Sequence, residues 1–170
     1  MTAHNFHNIV LWRHADAEPL TDTRGLDSTR PLSKKGLKQA KKMATWLTNN
    51  LQKNTVIISS NALRAEQTAQ TLKRDYMVFA SLAPDATLNT VLQTISQLPK
   101  NNLQMESLLV IGHQPWLGLL AAQLLSLPQN LANNAKEISI KKGAVWWLKR
   151  TSLQENQPFK LVTVLAPSLL

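Results

Sequence analysis

The chain has 170 residues, a length that suits one domain with one sizeable core, and its 44% hydrophobic content is that of an ordinary globular protein. It contains no cysteine, which excludes disulfides and thiolate metal sites, and its longest apolar run, Trp116 to Leu127, is interrupted by Gln123 and Ser126 and too short to cross a bilayer, so no membrane partner is expected. The 19 basic and 10 acidic residues give a formal charge of +9, which favours anionic partners: phosphorylated substrates, acidic protein surfaces or nucleic acid.

Met1 to Asn8 is polar with two histidines and reads as a short frayed arm or as a metal-binding or tag-like segment, not as a signal peptide, so a cytoplasmic location is the expectation. Ile9-Val10-Leu11-Trp12 is a continuous apolar run with β-branched residues and predicts a strand covered on both faces. A polar loop from Asp16 to Pro31 carries Pro19, Gly25 and Pro31. From Ser33 a helix is expected, with Leu37, Ala40, Ala44, Leu47 and Leu51 on one stripe. Its lysines, Lys34, Lys35, Lys38, Lys41 and Lys42, fall largely off that stripe. They have no interleaved aromatics of the kind a base-stacking platform needs, so charge alone would support nucleic-acid binding.

Val56-Ile57-Ile58 predicts a second strand, and Ser59, Ser60 and Asn61 are N-cap candidates for a helix with Ala62, Ala65, Ala69 and Leu72 on one face. Pro84 and Asp85 break the chain before a helix with Leu88, Leu92, Ile95 and Leu98 at helical spacing. Leu108-Leu109-Val110-Ile111 is a third buried strand, followed by a helix whose first turn accommodates Pro115. From Glu137 to Arg150 the apolar residues alternate, and Phe159 to Leu165 is one more strand, so these two are expected to pair as an edge hairpin. The pattern is that of an α/β fold in three layers, with a mainly parallel central sheet flanked by helices and an antiparallel C-terminal edge, residues 1–170 forming a single domain.

Three of these strands end in polar residues: Arg13-His14 after the first, Arg64 in the helix after the second, and Gly112-His113 after the third. Open α/β sheets bind ligands beyond the carboxyl ends of their strands, so these residues are expected to share a pocket. Two guanidiniums, two imidazoles and two helix N-termini suit a tetrahedral oxyanion, because arginine offers forked donors and a helix N-terminus adds N–H groups. Taken singly, each histidine also reads as a structural hydrogen bonder and Arg64 as a solvated helix residue. His14 and His113 lack a third ligand at metal-site spacing, so no metal is expected.

Leu11-Trp12-Arg13-His14-Ala15 resembles the Arg-His-Gly signature of the histidine phosphatase superfamily, with alanine in place of glycine. Ser59 to Ala69 is similar to its second motif, with Asn61 where proline is usual, and Val110-Ile111-Gly112-His113 to its third. Arg30-Pro31-Leu32-Ser33, Leu82-Ala83-Pro84 and His113-Gln114-Pro115 further resemble the short SixA-type phosphohistidine phosphatases. The resemblance implies that His14 is a transiently phosphorylated nucleophile, that Arg13, Arg64 and His113 form the phosphate pocket, and that Arg30 adds a contact at its mouth. It implies no cofactor, inorganic phosphate as product, and a phosphohistidine-bearing signalling protein as substrate. A small phosphate ester, or non-catalytic docking of a phosphorylated protein, are the alternatives. No residue clearly supplies the acid that would protonate an alkoxide leaving group; Asp16, Glu18 and Asp85 are candidates by location only. Ala15 would be strained if its φ were positive.

Overall fold

A computed structural model describes residues 6–20, 26–98, 107–127, 138–152 and 157–170. In chain order the elements are β1 (Asn8–Arg13), α1 (Lys34–Asn50), β2 (Val56–Ser60), α2 (Leu63–Gln70), β3 (Met77–Phe79), α3 (Leu88–Ser96), β4 (Ser107–Gly112), α4 (Trp116–Leu124), β5 (Val145–Lys149) and β6 (Lys160–Leu165). The strands form one six-stranded sheet in the order β3-β2-β4-β1-β5-β6. β4 pairs in parallel with both β1 and β2, and β2 with β3, whereas β5 and β6 are antiparallel. The α/β architecture with its antiparallel edge is the one the periodicity predicts.

Alternation along each strand divides the core between the two faces of the sheet. Ile9 and Leu11 of β1 and Leu108 and Val110 of β4 pack with Val91 and Ile95 of α3 and Trp116, Leu117 and Leu120 of α4. Val10 and Trp12 with Leu109 and Ile111 pack on the other face with Ala40, Met43 and Leu47 of α1 and Ala65 and Ala69 of α2. Helices therefore cover both faces, which is why the central strands read as unbroken apolar runs. Ser33 caps α1 by accepting from the Gly36 N–H at 2.9 Å, an interaction whose removal costs about 1 kcal/mol. Among the described residues no helix is long and apolar enough to cross a membrane.

Several expectations need correction. Phe6 is buried in the core, so the frayed arm is limited at most to residues before it; 1–5 lie outside the described residues. Leu37 is 42% exposed, and the inner stripe of α1 runs instead through Ala40, Met43, Ala44 and Leu47. Ser59 and Ser60 belong to β2, and Ala62 is the residue at the N-cap of α2. The segment 138–144 is not strand: Ala144 N–H donates to Lys141 O at 2.9 Å, and Gly143 takes φ +75°, closing a turn that a side chain would strain. Glu137, where the alternation begins, lies outside the described residues. The short edge strand β3 was not expected, because three half-exposed residues carry no period. Ala15 does not take a positive φ; among the described residues only Lys73 and Ser126 do so apart from glycine.

Candidate active site

The backbone itself brings the two histidines together. The His14 N–H donates to Gly112 O at 3.0 Å, tying the exit of β1 to the exit of β4. A Cβ at Gly112 would run into the Trp116 indole, so glycine is what lets α4 close over the strand end beside His113. The Gly143 turn completes the rim, with the Trp12 indole N–H donating to Gly143 O at 3.1 Å. The Ala15 N–H donates to Thr68 Oγ1 at 3.2 Å, which anchors the chain after His14 to α2.

His14, Arg13, Arg64, His113 and Arg30 all line one cavity of about 240 Å³, with Ala17, Asp27, Pro84, Gln114 and Lys142. His14 and His113 are buried, with ring centroids 4.9 Å apart. His14 Nδ1 lies 2.7 Å from Ala15 O, a partner that can only accept, so the proton sits on Nδ1. That leaves the lone pair on Nε2, which receives the Arg64 Nε–H at 3.3 Å. Burial, with Arg64, Arg13 and Lys142 adding repulsion, pushes His14 down to about 3 despite the opposing hydrogen bond to Ala15 O. Burial, together with His14, Arg64, Arg13 and Arg30, pushes His113 down to about 2. Both rings are therefore neutral near pH 7, and neutral imidazole is the nucleophilic form.

Ser60 Oγ accepts the Ala62 N–H at 3.1 Å and lies 2.8 Å from His113 Nε2. With the serine hydroxyl assigned as donor to Nε2, neutral His113 carries its proton on Nδ1, and that nitrogen is buried without a partner within the protein. Arg13 Nη1 donates to Ile140 O at 2.8 Å, while its buried Nε is likewise without a protein partner. Burial, then the nearby Arg64 charge, lowers Arg13. Unpaired buried donors are rare and costly, and they mark where a ligand's acceptors would be satisfied.

The proposed acids stand elsewhere. Asp16 is outside the cavity lining; its carboxylate accepts from Lys142 Nζ at 2.7 Å and from Ser33 Oγ at 2.8 Å. The hydrogen bond from Lys142 leads in holding it below the ordinary carboxylate range. Glu18 is exposed and contributes its backbone, with its carbonyl accepting from Arg30 Nη1 at 2.9 Å. Asp85 is exposed beside the lining residue Pro84 and does not itself line the cavity. Asp27 is the carboxylate that does line it, and sequence reasoning missed it together with Lys142 and Ser60. Asp27 Oδ2 accepts from Arg64 Nη2 at 2.7 Å and Oδ1 from Arg30 Nε at 2.8 Å. Burial raises it, but hydrogen bonding and charge from Arg64 and Arg30 together outweigh that and hold it below its ordinary value. Its position three residues before Arg30 was the available signal, although only the fold shows that it also meets Arg64.

A larger groove of about 730 Å³ between α1 and α2 is lined by Lys34, Lys41 and Lys73 among others and contains none of these histidines or arginines. The 240 Å³ cavity is the one with chemistry: four cationic side chains, two neutral imidazoles and one carboxylate. Such a lining can bind a tetrahedral oxyanion and present a nucleophilic nitrogen to it.

The sequence model of the histidine phosphatase superfamily (branch 1) matches residues 9–89, which include Arg13, His14, Arg30 and Arg64. The chain is 33% identical over 116 residues to an uncharacterized protein of Mycobacterium tuberculosis, covering 68% of this chain and 72% of that one. It is 32% identical over 122 residues to the phosphohistidine phosphatase SixA of Escherichia coli K12, covering 68% of this chain and 73% of that protein. Its fold is similar to a structure of the protein histidine phosphatase SixA complexed with tungstate, with TM-score 0.73, 25% identity and coverage of 95% of this chain and 98% of that one.

Proposed function

Because the chain belongs to the histidine phosphatase superfamily, we propose that it hydrolyses phosphohistidine on a protein substrate through a phosphorylated His14. A phosphatase of this superfamily takes a phosphorylated substrate and releases inorganic phosphate.

In the first step His14 Nε2 attacks phosphorus as the P–N bond to the substrate imidazole breaks. The imidazole departs neutral when its other ring nitrogen is protonated. In the second step water attacks phospho-His14, the new P–N bond breaks, and inorganic phosphate leaves with His14 restored. The His14 Nδ1–H bond to Ala15 O orients the ring for both steps and offsets positive charge as Nε2 forms its bond. Arg64, Arg13 and His113 Nδ1–H donate to the nonbridging oxygens as negative charge builds on them. Arg30 and Lys142 make the cavity mouth positive and favour the incoming phosphoryl group.

The observation that carries the choice of substrate is the state of Asp27. It is the carboxylate lining the cavity among the described residues, and two arginines keep it ionised. An ionised carboxylate has no proton to give an alkoxide, whose strong basicity calls for a general acid. Phosphohistidine has a more labile bond and a leaving group that needs no such acid. Likeness to the Escherichia coli phosphohistidine phosphatase supports the same reading.

The test is a comparison of kcat/KM for a protein phosphorylated on histidine with that for a panel of alkyl and aryl phosphates. The phosphohistidine protein is expected to be turned over most efficiently, with aryl phosphates intermediate. An alkyl phosphate or nucleotide that wins by a large factor would replace this reading with that of a small-molecule phosphomonoesterase.

A further inference from the structure

Arg64 is 3% exposed, and its guanidinium is held at three points. Nη1 donates to the Asp27 carbonyl at 2.6 Å and Nη2 to the Asp27 carboxylate at 2.7 Å. Nε donates to His14 Nε2 at 3.3 Å. A guanidinium offers two different forks: an end fork made by Nη1 and Nη2, and a side fork made by Nε and the second hydrogen of Nη2. Asp27 takes the end fork with both its carbonyl and its side chain. The side fork faces the nucleophilic nitrogen.

The same carboxylate also joins two cations. Asp27 Oδ1 accepts from Arg30 Nε at 2.8 Å, and Arg30 Nη1 in turn reaches Glu18 O at 2.9 Å. Arg64 and Arg30 line one small cavity, where like charges repel unless an anion stands between them. Asp27 supplies that anion at the Nη1–Nη2 edge of Arg64, leaving Nε to His14.

We infer that Asp27 is a positioning residue, which grips the far edge of Arg64 so that its Nε–Nη2 fork is aimed at a phosphoryl group on or approaching His14. The inference rests on the proposed reading of this cavity as a phosphoryl site and adds what aligns its principal donor. A transferring phosphoryl group meets a fork already oriented, and the alignment does not have to be reached during reaction. A different role for the same contacts would be competition, in which Asp27 occupies Arg64 until phosphate displaces it. The two roles predict opposite signs: removing a positioning residue weakens oxyanion binding, and removing a competitor tightens it.

The experiment measures inorganic phosphate and tungstate binding by calorimetry, and p-nitrophenyl phosphate turnover, for the wild type, Asp27→Ala, Asp27→Asn, Arg64→Ala and the Asp27→Ala/Arg64→Ala double variant. Misaligning one donor is expected to weaken phosphate binding and lower kcat by roughly 10- to 100-fold in Asp27→Ala. Asp27→Asn keeps an acceptor oxygen and is expected to fall between, at a melting temperature close to wild type because the side chain is half exposed. In the Arg64→Ala background Asp27→Ala is expected to cause no further loss of binding or turnover, because Asp27 aligns the fork through Arg64, while its other partner, Arg30, is only relieved of its counter-charge. Unchanged or tighter phosphate binding in both Asp27 variants, or an equal loss with Arg64 absent, overturns the inference. Wild type that binds phosphate without turnover contradicts the phosphatase reading, while the binding arm still decides the role of Asp27.

Discussion

The rings of His14 and His113 lie with centroids 4.9 Å apart and planes tilted by 51°. The pair sits at adjoining strand ends, and burial, reinforced by the cations around it, keeps both rings neutral. Only one of them has its lone pair directed at the cavity's arginines: His14 Nε2 receives Arg64, while His113 Nε2 is engaged by Ser60. In the proposed reaction this division makes His14 the nucleophile and His113 a donor.

That division gives the first prediction. His113→Ala is expected to lower kcat by about 10²- to 10³-fold, the usual effect of losing one transition-state donor. Phosphoryl transfer to His14 slows but is not abolished, so single-turnover measurements should still detect the phosphorylated intermediate. A variant with wild-type kcat would remove His113 from the chemistry.

Arg64→Ala is expected to cost more than its charge alone, because it removes the side fork next to His14 and the partner of Asp27. Turnover should fall by about 10²-fold or more, and tungstate binding should weaken in parallel. Arg64→Lys should recover only part of the loss, because an ammonium is a point donor with no fork. Inhibition and turnover assays across the three proteins check this, and full recovery by lysine would show that charge suffices.

The depressed histidines fix a pH dependence of stability. Unfolded histidine takes up a proton as the pH falls through about 6.5, whereas folded His14 resists until about 3 and His113 until about 2. Between those limits the unfolded chain binds more protons, so stability is greatest above the unfolded value and declines on acidification. Each histidine contributes a slope approaching about 1.4 kcal/mol per pH unit within that window. Denaturant melts from neutral pH to about pH 4.5 measure the slope, which should be reduced by about half when His14 is replaced by alanine. A slope unchanged in that variant would mean that His14 is charged in the folded protein.

Glu18 and Asp85 are exposed and outside the cavity lining, so Glu18→Gln and Asp85→Asn are expected to leave kcat for an aryl phosphate within about twofold. Asp16→Asn should show its effect in stability instead, because its carboxylate holds Lys142 and the Ser33 hydroxyl at the start of α1. A large fall in kcat with unchanged stability in any of the three would identify the missing acid.

The central strands and the residues at their ends were readable because each strand is buried on both faces and each ends at the same sheet edge. Ile9 to Trp12 and Leu108 to Ile111 carry their burial in composition, with no need of partners to explain it. β3 was not readable: Met77 and Val78 are exposed, and only pairing with β2 makes the segment a strand. The alternation through Ile138, Ile140 and Ala144 misled because these residues are apolar for contact with the core while the backbone turns at Gly143. Ser60 carried a double signal: it ends β2, and its hydroxyl both accepts the Ala62 N–H at the start of α2 and meets His113, a contact that only the fold brings about. Asp27 belongs to a polar loop, where composition gives no direction, and its role depends on a bond to a residue 37 positions away.

Phosphorylation of His14 is the step on which the proposed reaction depends. The measurement is rapid acid-free quenching of the enzyme with a substrate carrying labelled phosphate, followed by peptide mapping of the label. The label is expected on the peptide containing His14, stable to alkali and labile to acid, formed and lost at rates that support turnover and absent together with activity in His14→Ala. Undiminished activity in the His14→Ala protein, or a kinetically competent label on another residue, would contradict it.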